Sequence, residues 1–361
     1  LYSLSKHASV SLALNTSVVA LNRSSTGIES LTLSQGDQQC TVNVKGGVIL
    51  ASGGFNRHPI LRQAMLPGAD ASWCPAAPGH TGQAQDLARD LGAKYGEGAA
   101  SHAFWAPVSL RKRADGSQAV FPHFVMDRAK PGMLTVNKAG ERFVNESTSY
   151  HLFALGMQAA NQTSPSAPAS VPAYLICDAE ALRKYGIGMV RPGGKHLEPF
   201  LADGYLTQAN SLAELAVKLG IDAQGLQTSV SKINTYAETG IDPDFHRGVT
   251  AYQQNIGDAT WSGKNPNLGA LTQAPYYAVR LYPGDIGAAT GLLADADARV
   301  LDASQQAIPG LYAVGNDMHS IMGGVYTGPG ITIGPGMVFG YLAAKHAVAR
   351  AGTIYTTKNT T

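Results

Sequence analysis

The sequence predicts an α/β protein in two parts, and three observations support this. Residues 18–50 alternate apolar and polar side chains and end in an apolar run, as in a small antiparallel meander followed by a buried strand. The middle of the chain carries amphipathic helical patterns. The last third returns to strands and ends in a glycine-rich loop and a helix, the order of a nucleotide-binding βα unit.

The first strands are marked by their turns. RSSTG and SQGDQ separate three segments of period two, as hairpin connections require. The segment GGVILASGGF, residues 46–55, then predicts a buried strand that ends in a tight turn.

Three helices are predicted in the middle of the chain. In the first, residues 82–93, Thr81 is expected to cap the N-terminus. Its apolar face consists of Ala84, Leu87, Ala88 and Leu91. The second follows Ser211 as its cap in SLAELAVKLGI, and the third lies in LQTSVSKINTYAETG.

The last third contains three predicted strands, at residues 276–282, 298–302 and 310–317. After them comes the loop GGVYTGPGITIGPG, residues 323–336, with six glycines, and then a helix in MVFGYLAAKHAVARA. The segment TSPSAPASVP, residues 163–172, predicts an exposed loop.

Composition excludes several classes of function. The net charge is +2 and no basic run occurs, so nucleic acid is not an expected partner. No apolar stretch is long enough to predict an integral membrane segment. The three cysteines are widely spaced and the ten histidines lack ligand spacing, so neither disulfides nor a metal site are expected. We expect a reduced, cytoplasmic protein.

Six ordered segments resemble landmarks of the FAD-dependent fumarate reductase and succinate dehydrogenase flavoproteins. The resemblance spans the whole chain and is more specific than any single glycine motif. The segments are ASGGF (51–55), GHTGQAQDLARDLGA (79–93), NKAGERFVNES (137–147), INTYAETGIDPDFHRG (233–248), PYYAVRL (275–281) and IPGLYAVGND (308–317). Within this superfamily, the glycine loop and NESTSY (145–150) most resemble the 3-ketosteroid 1-dehydrogenases.

The resemblance implies the C-terminal portion of a Rossmann-like FAD-binding domain with an inserted α+β substrate-capping domain. Residues 1–60 and 275–361 would form the FAD-binding domain, and residues 61–274 the capping domain. Such proteins begin with a strand and a G-x-G-x-x-G turn that seats the FAD pyrophosphate, and no such motif precedes Val18. We therefore expect that the N-terminal portion is missing, either because a separate chain supplies it or because the sequence is truncated.

Three positions carry the expected chemistry. Tyr150, Tyr326 and Gly330 stand where fumarate-reducing members carry two arginines and a histidine. A dicarboxylate needs fixed positive charge, which these residues do not supply. The resemblance to ketosteroid dehydrogenases implies instead that the Tyr326 hydroxyl and the Gly330 N–H bind a ketone oxygen, while Tyr150 removes the α-proton.

A tyrosine base needs help, because a free phenol has a pKa near 10. The family supplies another tyrosine from its N-terminal portion. His151 is not expected to assist Tyr150, since neighbours on a strand point to opposite faces.

The resemblance also implies a set of flavin contacts. The helix N-terminus at residues 332–336 would face the flavin pyrimidine, where its dipole stabilises negative charge. His80 is expected to be structural. The candidate contacts are Ser52, Gly53, Gly54, Thr81, Gly82, Gly315, Asn316, Gly328, Thr332 and Ile333.

The leading hypothesis is FAD-dependent dehydrogenation of a CH–CH bond next to the ketone of a steroid or similar apolar ring, with an external electron acceptor. One alternative is a fumarate-reductase-like reductase of an unsaturated acid, which would need an arginine such as Arg142 or Arg280. The other alternative is a truncated, non-catalytic flavoprotein subunit or fragment.

Overall fold

The computed structural model describes residues 6–162 and 167–358. The strands are β1 (Ser17–Ser24), β2 (Gly27–Gln35), β3 (Gln38–Asn43), β4 (Val48–Leu50), β5 (Ala103–Lys112), β6 (Gln118–Pro122), β7 (Met133–Val136), β8 (Ala173–Cys177), β9 (Thr207–Ala209), β10 (Tyr276–Ala288), β11 (Arg299–Leu301) and β12 (Ala307–Ala313).

The helices are α1 (Pro59–Met65), α2 (Gln83–Asp90), α3 (Tyr150–Gln162), α4 (Ala179–Tyr185), α5 (Glu198–Ala202), α6 (Leu212–Leu219), α7 (Ala223–Thr239), α8 (Ala251–Ile256) and α9 (Ile333–Lys358). Within the described part of the chain, none of them is long and apolar enough to cross a membrane. Of the loop predicted at 163–172, residues 163–166 lie outside the described residues.

The chain divides into two compact units. Unit 1 comprises the described residues of Leu1–Pro67, Ala77–Ala103 and Gly287–Thr361. Unit 2 comprises Gly68–Ala76 and Phe104–Ile286. Unit 1 is therefore built from three separate stretches of sequence, and its strands β4 and β12 pair although they lie far apart along the chain.

Unit 1 contains two three-stranded sheets. The order β1-β2-β3 is an antiparallel meander, which confirms the predicted hairpins. The second sheet has the order β11-β12-β4, and its strands β12 and β4 run parallel, with Ala313 opposite Leu50. Parallel neighbours end at the same edge of a sheet, so the turns that follow β4 and β12 meet there.

Helices α2 and α9 complete unit 1. The predicted apolar face of α2 packs against the core, where Ala88 is fully buried. The predicted cap is wrong: Gly82 is the N-cap residue, in the left-handed conformation and without a side-chain hydrogen bond, rather than Thr81. Helix α9 begins at Ile333, ahead of the apolar pattern at Met337, because Pro335 is tolerated in a first turn.

Unit 2 is organised around a mainly antiparallel sheet of order β6-β5-β10-β8-β7, with β9 paired to β10. Its strand β8 is buried on both faces: Leu175 faces one apolar cluster and Ile176 the other. A strand that is apolar throughout has no alternation, which is why the sequence did not reveal it. Helices α6 and α7 confirm the prediction, and the Ser211 side chain accepts the Glu214 N–H at 3.1 Å.

A buried ion network crosses unit 2. Arg142 forms bidentate hydrogen bonds with Glu146 at 2.9 and 2.7 Å and with Asp242 at 3.1 and 2.8 Å. Arg247 lies 3.3 Å from Glu146. Burial alone would raise the pKa of Glu146, but the two guanidinium groups outweigh it and hold that pKa below its usual value. The charges therefore persist in the core because each has a partner.

We predict that replacing Arg142 with Met costs about 3–5 kcal/mol of unfolding free energy, because the buried Asp242 loses its guanidinium partner and Glu146 keeps only Arg247. The matched control is Arg183→Met, which removes an exposed pair with Glu180 and should change the unfolding free energy far less, because exposed ion pairs contribute little. Urea unfolding followed by circular dichroism measures both. Equal losses in the two variants would contradict a central role for the network.

Candidate active site

The turns after β4 and β12 are joined by one carboxylate in unit 1. Asp317 is completely buried and accepts the N–H groups of Ser52, of Gly53 at 3.3 Å and of Gly54 at 3.1 Å. The Ser52 hydroxyl donates to the same carboxylate at 3.0 Å. Successive backbone N–H groups form a concavity that suits an anion, and here the anion is the protein's own.

This arrangement limits what the predicted contacts after β4 can offer. The N–H groups of Ser52, Gly53 and Gly54 already donate to Asp317, so a ligand would meet their carbonyl groups and Cα atoms. Sequence reasoning missed Asp317, although an acidic residue at the end of GLYAVGND was the available signal. Gly54 is required: a Cβ there would lie 2.8 Å from the Asn316 carbonyl oxygen.

His80 fills the space beside Gly53. A Cβ at Gly53 would lie 2.4 Å from His80 Nε2, and the Arg57 N–H donates to the His80 carbonyl at 2.8 Å. Burial and the nearby Arg57 lower the pKa of His80 against the opposing effect of Asp317, so the ring is neutral at pH 7. Its Nδ1 is buried and has no hydrogen-bond partner within the described parts of the chain.

The contacts predicted at the start of α2 differ in exposure. Thr81 is exposed, whereas Gly82 is buried in the left-handed conformation. A Cβ at Gly82 would lie 2.9 Å from His58 Cδ2, so close packing requires the glycine.

The glycine loop before α9 is closed at its base and open at its tip. Gly324 is buried, and a Cβ there would lie 2.3 Å from the Ser101 carbonyl oxygen. Gly328 and Gly330 have open space where a side chain would be, and Gly330 has a φ of +95°. The tip therefore leaves room for a ligand to approach the backbone.

Tyr326 lies between the base and the tip of this loop. Its side chain is half-buried, and burial raises its pKa to about 12. The hydroxyl therefore keeps its proton at neutral pH and can donate a hydrogen bond.

The start of α9 lies beside the turn after β12. A Cβ at Gly287 would lie 2.9 Å from Asn316 Nδ2 and 3.9 Å from Thr332, so both residues flank one glycine. A Cβ at Gly336 would lie 3.4 Å from the Gly315 Cα. Ile333 is exposed, as the first residue of the helix. Unit 1 thus gathers many of the predicted flavin contacts where parallel strands end, which is a usual ligand position in α/β sheets.

In unit 2, Tyr150 is the first residue of α3 and its side chain is buried. Its ring packs against Phe124, with 4.8 Å between ring centroids. The prediction that Tyr150 and His151 lie on a strand is wrong, since both belong to the helix. His151 is also buried, and its Nδ1 accepts the Trp105 N–H at 3.1 Å.

Arg128 fixes the loop that carries Phe124. Its buried guanidinium donates to the carbonyls of His123 at 3.1 Å, of Phe124 at 2.9 Å and of Glu146. Burial lowers its pKa to about 10, so it remains charged at neutral pH. One cation therefore ties the Phe124 loop to the segment that leads into Tyr150. A lone arginine gives no sequence signal for this role.

The arginines considered for a dicarboxylate site differ in their surroundings. Arg142 is 3% exposed and its donors are engaged with Glu146 and Asp242, so it cannot also receive a substrate carboxylate. Arg280 lies on β10 opposite Tyr174 and is half-buried.

Known proteins match this chain closely. Residues 1–333 match the family described as FAD binding domain. The 4-oxocyclohex-2-ene-1-carboxylate 5-dehydrogenase of Sinomonas cyclohexanicum is 36% identical over 94% of this chain and 57% of its own length. The 3-oxosteroid 1-dehydrogenase of Mycobacterium tuberculosis is 36% identical over 86% of this chain and 54% of its own length.

A solved structure is also similar. The 3-ketosteroid Δ1-dehydrogenase of Sterolibacterium denitrificans, in complex with 1,4-androstadiene-3,17-dione, has a TM-score of 0.84 and 34% identity. The match covers 93% of this chain and 59% of that one. The chain thus spans about half the length of the curated relatives it matches.

The chain belongs to the FAD-binding domain family, and its cofactor is FAD. The predicted relationship to fumarate reductases and 3-ketosteroid dehydrogenases is confirmed. The residues of unit 1 fit a flavin in two respects: the loop glycines leave open backbone, and His80 Nδ1 is buried without a hydrogen-bond partner in the described chain.

We predict that His151 makes stability depend on pH. Burial lowers its pKa to about 4, whereas an unfolded chain has a histidine pKa near 6.5, so the unfolded state binds the extra proton between these values. Stability should therefore fall by about 1–2 kcal/mol from pH 7 to pH 5 through this group.

Urea unfolding at both pH values measures the effect. His151→Gln should remove this part of the pH dependence, whereas His7→Gln, at an exposed position, should retain it. An unchanged pH slope in His151→Gln would contradict the assignment.

Proposed function

We propose that this protein dehydrogenates a CH–CH bond next to the ketone of an apolar ring compound. One observation carries the proposal. Tyr326 is half-buried with its pKa raised to about 12, and it precedes by four residues Gly330, whose backbone lies in open space. A protonated hydroxyl and an open stretch of backbone can each donate a hydrogen bond to a neutral ketone oxygen.

The chemistry divides among three residues. As the α-proton leaves, negative charge develops on the ketone oxygen, and the Tyr326 hydroxyl and the Gly330 N–H stabilise it. Tyr150 is proposed to take that proton, with Phe124 and the Arg128 contacts holding its ring. FAD, when bound, supplies the acceptor for the hydride from the neighbouring carbon, and an external acceptor then reoxidises it.

We propose ring ketones as the substrate class, because two 36% identical relatives are named for a 4-oxocyclohexene carboxylate and for 3-oxosteroids. The exposed Met126 lies two residues from Phe124 and adds apolar surface in unit 2.

We further propose that residues 1–60 and 275–361 belong to a Rossmann-like FAD-binding domain and residues 61–274 to a substrate domain. A cytoplasmic location is also part of the proposal, and it accords with the three free cysteines.

Reduction of an unsaturated acid is less well supported. The buried ion network engages Arg142, and no observation favours Arg280 as a carboxylate clamp.

A flavin spectrum of the purified chain is the first experiment. Visible flavin absorbance that bleaches anaerobically with a 3-ketosteroid or with 4-oxocyclohexanecarboxylate supports the proposal. A folded, colourless protein that does not take up added FAD would favour the non-catalytic alternative. Reoxidation of pre-reduced flavin by fumarate alone would favour the acid reductase.

We predict that Tyr326→Phe lowers the rate of ketone-driven flavin bleaching by about 10²–10³-fold, because one donor to the developing oxyanion is lost. The control is Tyr282→Phe, at another half-buried tyrosine with a raised pKa, whose ring stacks on Trp73 at 5.2 Å and should stay in place. Stopped-flow absorbance measures both variants. A Tyr326→Phe rate equal to the control's would remove Tyr326 from the mechanism.

A further inference from the structure

Unit 2 contains a buried chain of four hydrogen-bonded side chains, two of which belong to the Phe124 loop, residues 123–128. Asp127 Oδ2 lies 2.6 Å from His123 Nδ1, and His123 Nε2 lies 2.8 Å from the Ser109 hydroxyl. The Ser109 hydroxyl in turn lies 2.7 Å from the Tyr205 hydroxyl. These four residues are here named the polar tetrad, and at most 6% of any of them is exposed. Bulk water therefore does not compete for their hydrogen bonds.

The chemistry of the groups fixes the direction of each hydrogen bond. Burial alone would raise the pKa of Asp127, but contacts with His123 and with two backbone N–H groups outweigh it and lower that pKa to about 2. The ionised carboxylate only accepts, so His123 Nδ1 carries a proton. In the neutral ring, Nε2 then accepts the Ser109 O–H, and Ser109 accepts the Tyr205 O–H. The Tyr205 oxygen accepts the Met189 N–H at 2.8 Å, so every member of the tetrad has a partner.

The tetrad connects the Phe124 loop to other segments of unit 2. Ser109 belongs to β5, and Tyr205 lies shortly before β9. Asp127 also accepts the Gly188 N–H at 2.9 Å. A Cβ at Gly188 would overlap the Tyr205 hydroxyl, so this turn packs directly against the tetrad. Side-chain hydrogen bonds therefore tie the Phe124 loop to β5 and to the turn at Gly188.

Stability alone does not require four polar side chains in this core. Well-packed apolar side chains of similar volume stabilise a core as well as buried ionic groups do, and often better. A fully hydrogen-bonded network instead specifies one arrangement, because a shift leaves a buried donor or acceptor unpaired. We therefore expect the tetrad to determine where the Phe124 loop lies.

The side chain that this loop presents is Phe124. Its ring is 37% exposed, and its centroid lies 4.8 Å from that of the buried Tyr150 ring. We propose that the polar tetrad is a set of positioning residues for the dehydrogenation: it fixes Phe124, and Phe124 fixes the Tyr150 ring. The inference rests on the proposed function, in which Tyr150 takes the α-proton.

Two variants interrupt the tetrad outside the Phe124 loop, and each has a matched control. Ser109→Ala removes the central hydroxyl, and Tyr205→Phe removes the terminal one. Ser170→Ala, also in unit 2, removes a buried serine hydroxyl that donates to a backbone carbonyl at 2.8 Å. Tyr312→Phe removes a buried tyrosine hydroxyl that lies 2.8 Å from a histidine nitrogen in unit 1.

The first measurement reports the surroundings of Tyr150 without any reaction. It is fluorine NMR of the FAD-loaded protein labelled with 3-fluorotyrosine, in which Tyr150→Phe assigns the Tyr150 resonance. We expect both tetrad variants to shift or broaden this resonance and both controls to leave it unchanged. Circular dichroism shows which variants are folded, and if one tetrad variant does not fold, the other decides. An unchanged Tyr150 resonance in the folded tetrad variants, or an equal change in the controls, would overturn the inference.

The second measurement is the rate of ketone-driven flavin bleaching. At saturating ketone we expect the tetrad variants to react about 10–100-fold more slowly, because a misplaced reacting group slows the chemical step. The half-saturating ketone concentration should change little, since the tetrad is not proposed to contact the ketone. The controls should react at the unmodified rate. A loss of stability alone would not produce this pattern in folded protein.

The two measurements separate the two proposals. If the unmodified protein does not respond to ketones, the proposed function fails, and the Tyr150 resonance alone decides whether the tetrad positions that ring. If ketones bleach the flavin equally fast in the tetrad variants and the controls, the proposed function stands and the positioning inference is overturned.

Discussion

The buried carboxylate of Asp317 holds together the two turns on which unit 1 depends. It accepts three consecutive backbone N–H groups after β4 while it sits at the end of the β12 turn, so it joins stretches of sequence more than 260 residues apart. A buried carboxylate is stable only when its oxygens accept hydrogen bonds, and the N–H groups of the turn donate them. The glycines after β4 follow from this contact, because only backbone without side chains can approach so closely.

Unit 2 uses buried cations for a related purpose. Arg142 and Arg247 compensate Glu146 and Asp242, and Arg128 instead collects backbone carbonyls. In both cases a planar guanidinium with several donors fixes segments that have no regular secondary structure. These contacts hold the segments that precede α3 in place, and the buried Tyr150 ring packs against Phe124. These buried arginines of unit 2 therefore stabilise the fold. For this reason, the number of arginines in the sequence does not indicate a binding site for a substrate carboxylate.

The success of the sequence predictions followed the strength of local signals. The meander, α6 and α7 were predicted correctly because their apolar periodicity and their turn or capping residues lie close together in the sequence. Strand β8 was missed because it is buried on both faces, and the helix that begins at Tyr150 was mistaken for a strand because NESTSY has no apolar period. Among the proposed site residues, the glycines stand out in the sequence, whereas Asp317 acts through partners that are distant in sequence.

The sequence by itself determined the family, the cofactor class and the residue types at the proposed reacting positions, because ordered motifs along a chain carry that information. Only the tertiary structure decided which groups are free to act. It engages Arg142 with two carboxylates, occupies the amides after β4 with Asp317 and leaves the backbone of Gly330 open. The physical reason is that burial, hydrogen-bond saturation and pKa depend on neighbours brought from remote parts of the chain, and no local pattern records them.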